Sequence, residues 1–414
     1  MHRPEHPWPT HSTTTLPWRS ATRGPRPDRE TTSLTASVPP RIAHASWSPD
    51  PDTEALLHRA SAALRTLDAH HGDELTALGG LLARTDAVAS SRIEEEPASL
   101  DDVARAVVGV RANTSATVVV RAGRAIDRLV ASADAGAITE AAVLDAHRRL
   151  MGDDPVDGRY AGRWREVQNW IGGGSTPRTA RHVPPPPALV PELMDDLFAF
   201  LGRDDLHPIA QAAIAHAQFE SIHPFTDGNG RIGRALIAAV LRRRGLTRVV
   251  TVPIATALVA ERDRYFWHLD RFRRGCVDEW IRDLAIAIGT VCDEATLTAL
   301  HLAEIEADLT AAARGLDLDL RGRHGSRNGP HGVVVGALLD DPVLTDDHLD
   351  DLLGREDAVI ERVVSGLGRV GVIRPVTERR RRRAWVGAAP ARELTALGDR
   401  VRAAVTQRAN RVGW

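Results

Sequence analysis

The sequence predicts a mainly α-helical protein with a loop or small β-hairpin inserted in its helical core and a winged helix-turn-helix module near its C-terminal end. Three observations carry this prediction. Apolar residues recur at helical spacing through most of the chain from Thr53 onward. One segment, 152–187, interrupts that rhythm with glycines and prolines. Residues 331–387 show three short helical patterns followed by two strand-like runs.

Residues 1–40 are rich in Pro, Thr, Ser and Arg without apolar periodicity, and predict a disordered tail. Leu56, Leu57, Ala60, Ala63 and Leu64 then share one helical face. A second helix spans 74–95 and stops before Pro97, since the residue ahead of a proline is steered out of the helical region. Helices follow over 100–111 and 115–131, and Thr139 is placed to N-cap one that reaches Met151. Segment 152–187 holds Trp164, Gln168, Asn169, Trp170 and Ile171, then Gly172-Gly173-Gly174, then four prolines, which makes it a loop or hairpin. Helices resume over 192–201 and 207–222. In the latter, Ile209, Ala212, Ala213, His216 and Phe219 form a stripe, so His216 reads as a packed core histidine rather than a ligand. The apolar run 235–241 predicts a buried helix closed by Arg242, Arg243 and Arg244 in its last turn and by Gly245. Residues 258–274 and 277–300 are helical as well.

In the C-terminal module, Thr345 is a second N-cap candidate, Gly354 turns the chain, and Ile360, Val363, Val364 and Leu367 line the third helix. Runs 370–376 and 384–386 flank Glu378 and the five arginines Arg379, Arg380, Arg381, Arg382 and Arg383, a basic wing suited to DNA phosphates. Against that, Glu356, Asp357 and Glu361 load the third helix with charge that repels phosphate, so protein docking is the competing use.

A chain of 414 residues is long enough for two or three domains. Hydrophobic content of 43% and charged content of 26% are those of a globular protein, and a net charge of −2 gives no global attraction to nucleic acid or membrane. All 53 basic residues are arginine, so no lysine is available as nucleophile or phosphate ligand. Cys276 and Cys292 alone exclude a disulfide framework and a cysteine metal cluster. No apolar stretch is expected to reach the ~20 residues of a membrane helix, and no signal core is visible near the N-terminus. These features lead to the expectation of a cytoplasmic protein without a membrane partner.

The chemistry concentrates in one run, His223-Pro224-Phe225-Thr226-Asp227-Gly228-Asn229-Gly230-Arg231-Ile232-Gly233-Arg234. His223 can accept a hydroxyl proton near neutral pH. Asp227 is a hard oxygen ligand for Mg²⁺. Gly228 and Gly230 let the backbone approach a phosphate closely, and a helix beginning here points unpaired N–H groups at it. Asn229 adds a neutral amide donor, and Arg231 and Arg234 supply permanent charge in forked geometry.

This run resembles the Fic family signature, His-Pro-Phe-x-(Asp/Glu)-Gly-Asn-Gly-Arg-x-x-Arg, at every specified position. The resemblance covers roughly residues 45–300. It implies transfer of AMP from ATP, with Mg²⁺, to a Ser, Thr or Tyr hydroxyl of a target protein or of the enzyme itself. His223 would deprotonate the hydroxyl, Asp227 would hold the metal, and Gly228, Asn229 and Gly230 would form the anion hole for the α- and β-phosphates. Arg231 and Arg234 would take the outer phosphates, with Ser221 and Gly233 counted among the nucleotide-binding residues. Tyr265 is similar to an aromatic residue the family places near the nucleotide base, with ordinary core packing as the competing reading; for Trp280 core packing is favoured. The segment ahead of the signature would be a flap, around 169–183, that captures an extended target by strand addition; Asn169, Trp170, Ile171 and Gly172 fall on it. Ser90-Ser91-Arg92-Ile93-Glu94-Glu95 resembles the family's inhibitory motif (Ser/Thr)-x-x-x-Glu-(Gly/Asn), in which Glu94 would pair with Arg234. Position 95 departs from that pattern, being Glu.

The resulting domain plan is a disordered tail at 1–40, a helical region with the inhibitory helix at 41–114, the Fic core at 115–300, a linker at 301–330, the winged module at 331–390 and a C-terminal helix at 391–414. Similar proteins also suggest a homodimer. UMP transfer or removal of AMP, and a transcriptional regulator with vestigial catalysis, are the alternatives to AMP transfer.

Overall fold

Alternation with a period of two, rather than helical spacing, governs the N-terminal end. Ser12–Pro17 (β1) and Ser33–Val38 (β2) pair antiparallel, with Thr14 opposite Ala36 and Leu16 opposite Leu34. Leu34 and Ala36 are buried while Ser33 and Thr35 are exposed. The disordered tail expected over 1–40 is therefore corrected for its described residues. Threonines of β1, whose β-branched side chains suit a half-buried pleated surface, form a ribbon instead. A short helix, Arg26–Glu30 (α1), lies between the strands. The computed structural model describes residues 8–19, 26–70, 74–93, 99–109, 114–172, 176–320, 329–354, 356–377 and 382–412.

The helices then follow in chain order: Pro51–Ala69 (α2), Glu74–Ile93 (α3), Leu100–Val107 (α4), Thr114–Ser132 (α5), Glu140–Met151 (α6), Val190–Leu201 (α7), Pro208–Ile222 (α8), Asn229–Arg243 (α9), Ile254–Ala260 (α10), Arg262–Phe272 (α11) and Asp278–Leu320 (α12). Several starts are set locally. Ser99 and Asp102 form a reciprocal capping box on α4, and Thr139 caps α6 as its sequence predicts. The end of α9 is also as read: Gly245, at φ 67°, follows Arg244, and the Leu246 amide returns to Leu241 O.

α12 overrides the linker expected over 301–330, since residues 301–320 carry no proline and continue as helix. Contrary to the expectation that no apolar stretch reaches membrane-spanning length, it contains a window long and apolar enough to cross a membrane by length and composition; 56% of that window is buried in the protein, as in a core helix.

The chain divides into two compact units. The first comprises residues 1–61, 124–246 and 262–286. Its centre is α8, buried from Ile209 through Ile222 on every side. α7, α9 and α11 pack on it. His216 lies in this core against Tyr265 and Trp280, as its stripe position predicts, and Trp280 donates to Ala213 O.

The second unit comprises residues 62–123, 247–261 and 287–414. It includes Pro330–Asp340 (α13), Val343–Thr345 (β3), Asp346–Leu353 (α14), Asp357–Arg369 (α15), Ile373–Pro375 (β4), Ala384–Gly387 (β5) and Ala388–Val412 (α16). The strands order β3-β5-β4, all antiparallel. Val334, Leu338, Leu349, Ile360, Val363 and Leu367 share the core beneath them. Thr345 caps α14 and Gly354, at φ 78°, ends it. The three helices and the two later strands follow the order read from the sequence, β3 between the first two helices is an addition to it, and the wing residues Glu378, Arg379, Arg380 and Arg381 lie outside the described set.

Candidate active site

The sequence places a histidine before a proline at the end of α8, and the structure uses it to turn the chain. His223 is the C-cap residue, with φ 50° and ψ 62°. A non-glycine residue in this left-handed region is strained by about 1–2 kcal/mol, so its surroundings must hold it. The His223 amide donates to Phe219 O at 2.8 Å. Buried Arg165 donates through Nε to His223 O at 2.8 Å and through Nη2 to Pro185 O at 2.6 Å. Beyond the turn, fully buried Phe225 stacks on His147 of α6, with centroids 3.6 Å apart and rings 3° from parallel. His147 accepts the Gly162 N–H at Nδ1, which leaves its Nε2–H for Asp227 O at 3.0 Å. Asn229 completes the loop: its Oδ1 accepts from Phe225 N at 2.8 Å and its Nδ2 donates to Phe225 O at 2.9 Å.

These contacts place the start of α9 beside the His223 ring. Gly228 is its N-cap at φ 78°, a conformation glycine adopts without the Cβ penalty. The first backbone bond into the helix is Ile232 N to Gly228 O, so the amides of Asn229 and Gly230 have no intrahelical acceptor. Arg231 is buried, with Nη2 3.3 Å from the Asp227 carboxylate, whose side chain is 54% exposed. Arg234, three residues on, is buried as well. The result is an electropositive helix end with one exposed carboxylate at its mouth.

The His223 ring is neutral. Its pKa is pushed down to about 3, first by burial and then by the Arg165 and Arg273 charges. Burial likewise lowers His147 to about 4 and holds His182 well below the ordinary imidazole value.

Asn169, at the start of the expected flap, reaches the histidine, its Nδ2 lying 2.9 Å from His223 Nδ1. Ile171 and His182 form an isolated antiparallel bridge, Gly172 has φ 71°, and Trp170 meets Trp18 edge to face at 5.6 Å. Among the described residues the flap is thus one bridge rather than a pair of strands, and residues 173–175 fall outside them.

Three expected nucleotide residues make contacts within the helical core. Ser221 is buried with its hydroxyl donating to Ala217 O at 2.7 Å, a bond within its own helix. Gly233 serves the packing of α9 on α8: a Cβ there would stand 2.4 Å from Glu220 Oε1 and 3.1 Å from Phe219 Cδ1. Tyr265 is 1% exposed and its hydroxyl is bonded to His216 Nε2 at 3.0 Å, so it is a core residue. The apolar stripe that buries His216 buries Tyr265 with it. Glu94 and Glu95 lie outside the described residues; α3 is described to Ile93, with Ser90 and Ser91 buried.

Sequence reasoning missed His147, Arg165 and His182. His147 had a signal, falling four residues after Val143 on the buried face of α6. Arg165 had none, because its partners are backbone carbonyls at sequence separations of up to 58.

Comparison with known proteins agrees with this geometry. Residues 137–241, which hold α6, the flap and the loop, match the Fic/DOC family. Over 164 residues the chain is 34% identical to proteins named protein adenylyltransferase Fic from Drosophila grimshawi and Drosophila erecta. The match covers 39% of this chain and 29% of each of theirs, so the chain spans less than a third of the length of these curated relatives. The crystal structure of a Fic family protein from Desulfovibrio desulfuricans G20 superposes with a TM-score of 0.53 at 21% identity, over 83% of this chain and 97% of that one. The fold is therefore similar to that of a solved Fic protein across most of the chain.

Proposed function

We propose that this protein is a nucleotidyltransferase that moves AMP from ATP to a hydroxyl of a target protein, or of itself, and releases diphosphate. The observation that carries the reading is the meeting of a neutral histidine and an electropositive helix N-terminus in one loop, pinned by Asn229. The printed name of the curated relatives, protein adenylyltransferase Fic, supports the same reading.

In this mechanism the amides of Asn229 and Gly230 receive phosphate oxygens, and Arg231 and Arg234 balance the charge of the outer phosphates. Asp227 suits Mg²⁺, as an exposed carboxylate beside the cradle. A bound metal would supply charge neutralisation on the polyphosphate. The target oxygen forms its bond to the α-phosphorus, the bond to the diphosphate breaks, and the hydroxyl proton goes to His223. An imidazole held near pKa 3 by burial, and then by arginines, is a weak base, but the polyphosphate offsets the arginine charges and strengthens it on arrival. The flap edge around Ile171 and His182 is where an extended target adds. Glu94 restrains the reaction by taking the place of the outer phosphate on Arg234.

The test is incorporation of label from ATP by wild type, Glu94→Gly and His223→Ala chains. Glu94→Gly should label itself and added protein well above wild type, and His223→Ala should reduce labelling by at least about a hundredfold. Labelling that survives His223→Ala removes the reading; equal rates in wild type and Glu94→Gly remove the brake alone.

A further inference from the structure

Asn169 begins the flap, and its amide has two short contacts. Nδ2 donates to His223 Nδ1 at 2.9 Å and to Phe225 O at 2.8 Å. Asn229 Nδ2 stands 3.3 Å from the same ring nitrogen and donates to Phe225 O at 2.9 Å. The bonds to Phe225 fix how both amides face, because turning either over would set an amide oxygen against the Phe225 carbonyl oxygen. Two N–H donors therefore converge on Nδ1, which can only accept. A neutral imidazole has one N–H, so the proton sits on Nε2. Asn169 Oδ1, meanwhile, is buried and has no hydrogen-bond partner among the described residues. The amide is held by its nitrogen at the expense of its oxygen.

We propose that Asn169 is a positioning residue that latches His223 in the Nε2–H form, and that a target strand docking on the flap releases it. In the latched state neither ring nitrogen can take a hydroxyl proton. Nε2 has no lone pair, and the lone pair of Nδ1 is covered. Transfer at Nδ1 requires the hydroxyl to replace the Asn169 amide. Transfer at Nε2 requires the ring proton to move to Nδ1 first, against two facing N–H groups. Asn229 cannot yield, being buried and bonded to Phe225 through both amide atoms. Asn169 can: it is only partly buried and lies two residues from Ile171, whose N–H and C=O make the bridge to the 181–182 backbone. A strand added to that edge pulls on the backbone that carries the latch. The kinetic consequence rests on the AMP-transfer reading above; the tautomer does not.

Nitrogen NMR on the full chain, with the His223 signals assigned by their loss in His223→Ala, tests the latch without any turnover. Wild type should show His223 protonated at Nε2 and unprotonated at Nδ1. Asn169→Ala should weaken that preference about tenfold, the factor one ordinary hydrogen bond corresponds to. Asn169→Asp, which offers an acceptor, should reverse it. A wild-type ring protonated at Nδ1, or one tautomer shared by all three chains, overturns the proposal. In a Glu94→Gly background, Asn169→Ala should raise kcat several-fold with the KM for ATP unchanged; a fall in kcat overturns the latch. If no form transfers label, the transferase reading fails, while the nitrogen signals still decide the tautomer.

Discussion

His223 and Gly228 bracket a loop in which two residues sit in the left-handed region, one strained and one not. His223 is held there by Arg165 and Phe219, whereas Gly228 is there because it lacks a Cβ. A Cβ at Gly228 would meet Leu150 Cδ2 at 3.0 Å and Met151 Sδ at 3.3 Å, in addition to the backbone penalty at φ 78°. Gly228→Ala should therefore cost about 1–3 kcal/mol of stability and move the first turn of α9. Thermal unfolding and nucleotide titration check this together, with a lowered Tm and weakened ATP binding expected. Unchanged affinity would mean that the cradle does not depend on the cap. The loop's chemistry was legible in sequence because twelve adjacent residues carry it. Its support was not. His147 reaches Asp227 across 80 residues and Asn169 reaches His223 across 54, and neither pair leaves a mark in composition or period.

At the scale of elements, helical periodicity located α6, α8, α9 and α13 to α15, and turn chemistry at Gly245 and Gly354 located ends. It failed where the governing period was two. The Thr-rich ribbon of β1 and β2 was hidden because a stretch of Pro, Ser and Arg reads as solvated chain until its alternation is weighed. The C-terminal module had the opposite difficulty: its elements were legible but its use was ambiguous. Among the described residues its surface charge favours protein docking. Asp347, Asp351, Asp357 and Glu361 are exposed along α14 and α15. Arg383 is bonded to Asp346 at 2.9 Å and to Glu361, and it lies 4.9 Å over the Trp385 ring. Arg374 is paired with Asp101. Cations committed in this way release few counterions on meeting a duplex. Any duplex binding should accordingly change by less than about tenfold between 50 and 200 mM salt, where a protein making several phosphate contacts loses about a thousandfold or more. A shift assay at the two salt concentrations decides. Steep salt dependence would return the module to DNA and put the contacts on the arginines Arg379 to Arg381.

Across the whole molecule, the buried histidines make stability depend on pH in a window the carboxylates leave clear. His216 is fully buried and lowered to about 3, by burial and then by Arg234; His147 is lowered to about 4, chiefly by burial. In the unfolded chain both titrate near 6.5. Above that value neither state binds the protons, and the stabilisation is complete. As pH falls below 6.5 the unfolded chain takes up protons that the folded chain refuses, so stability is lost progressively toward the folded values. At pH 4.5 each histidine has been carried about two units, or roughly 2.7 kcal/mol at 1.36 kcal/mol per unit. Asp145 and Asp205, whose carboxyls are lowered by arginine partners, begin to contribute only nearer 3.8 and below, and Asp157 and Asp340, raised by burial, act in the opposite sense. Between pH 6.5 and 4.5 the loss thus belongs to the histidines. Calorimetric scans over this range should show the transition temperature falling by about 10 °C or more. His11, His182 and His223 are lowered in the same way, so His216→Gln should remove about a fifth of that slope, whatever it does to the transition temperature at pH 7. A transition insensitive to pH down to 4.5 would mean that these rings are protonated in the fold, and with them the case for a neutral His223 in the same unit would go.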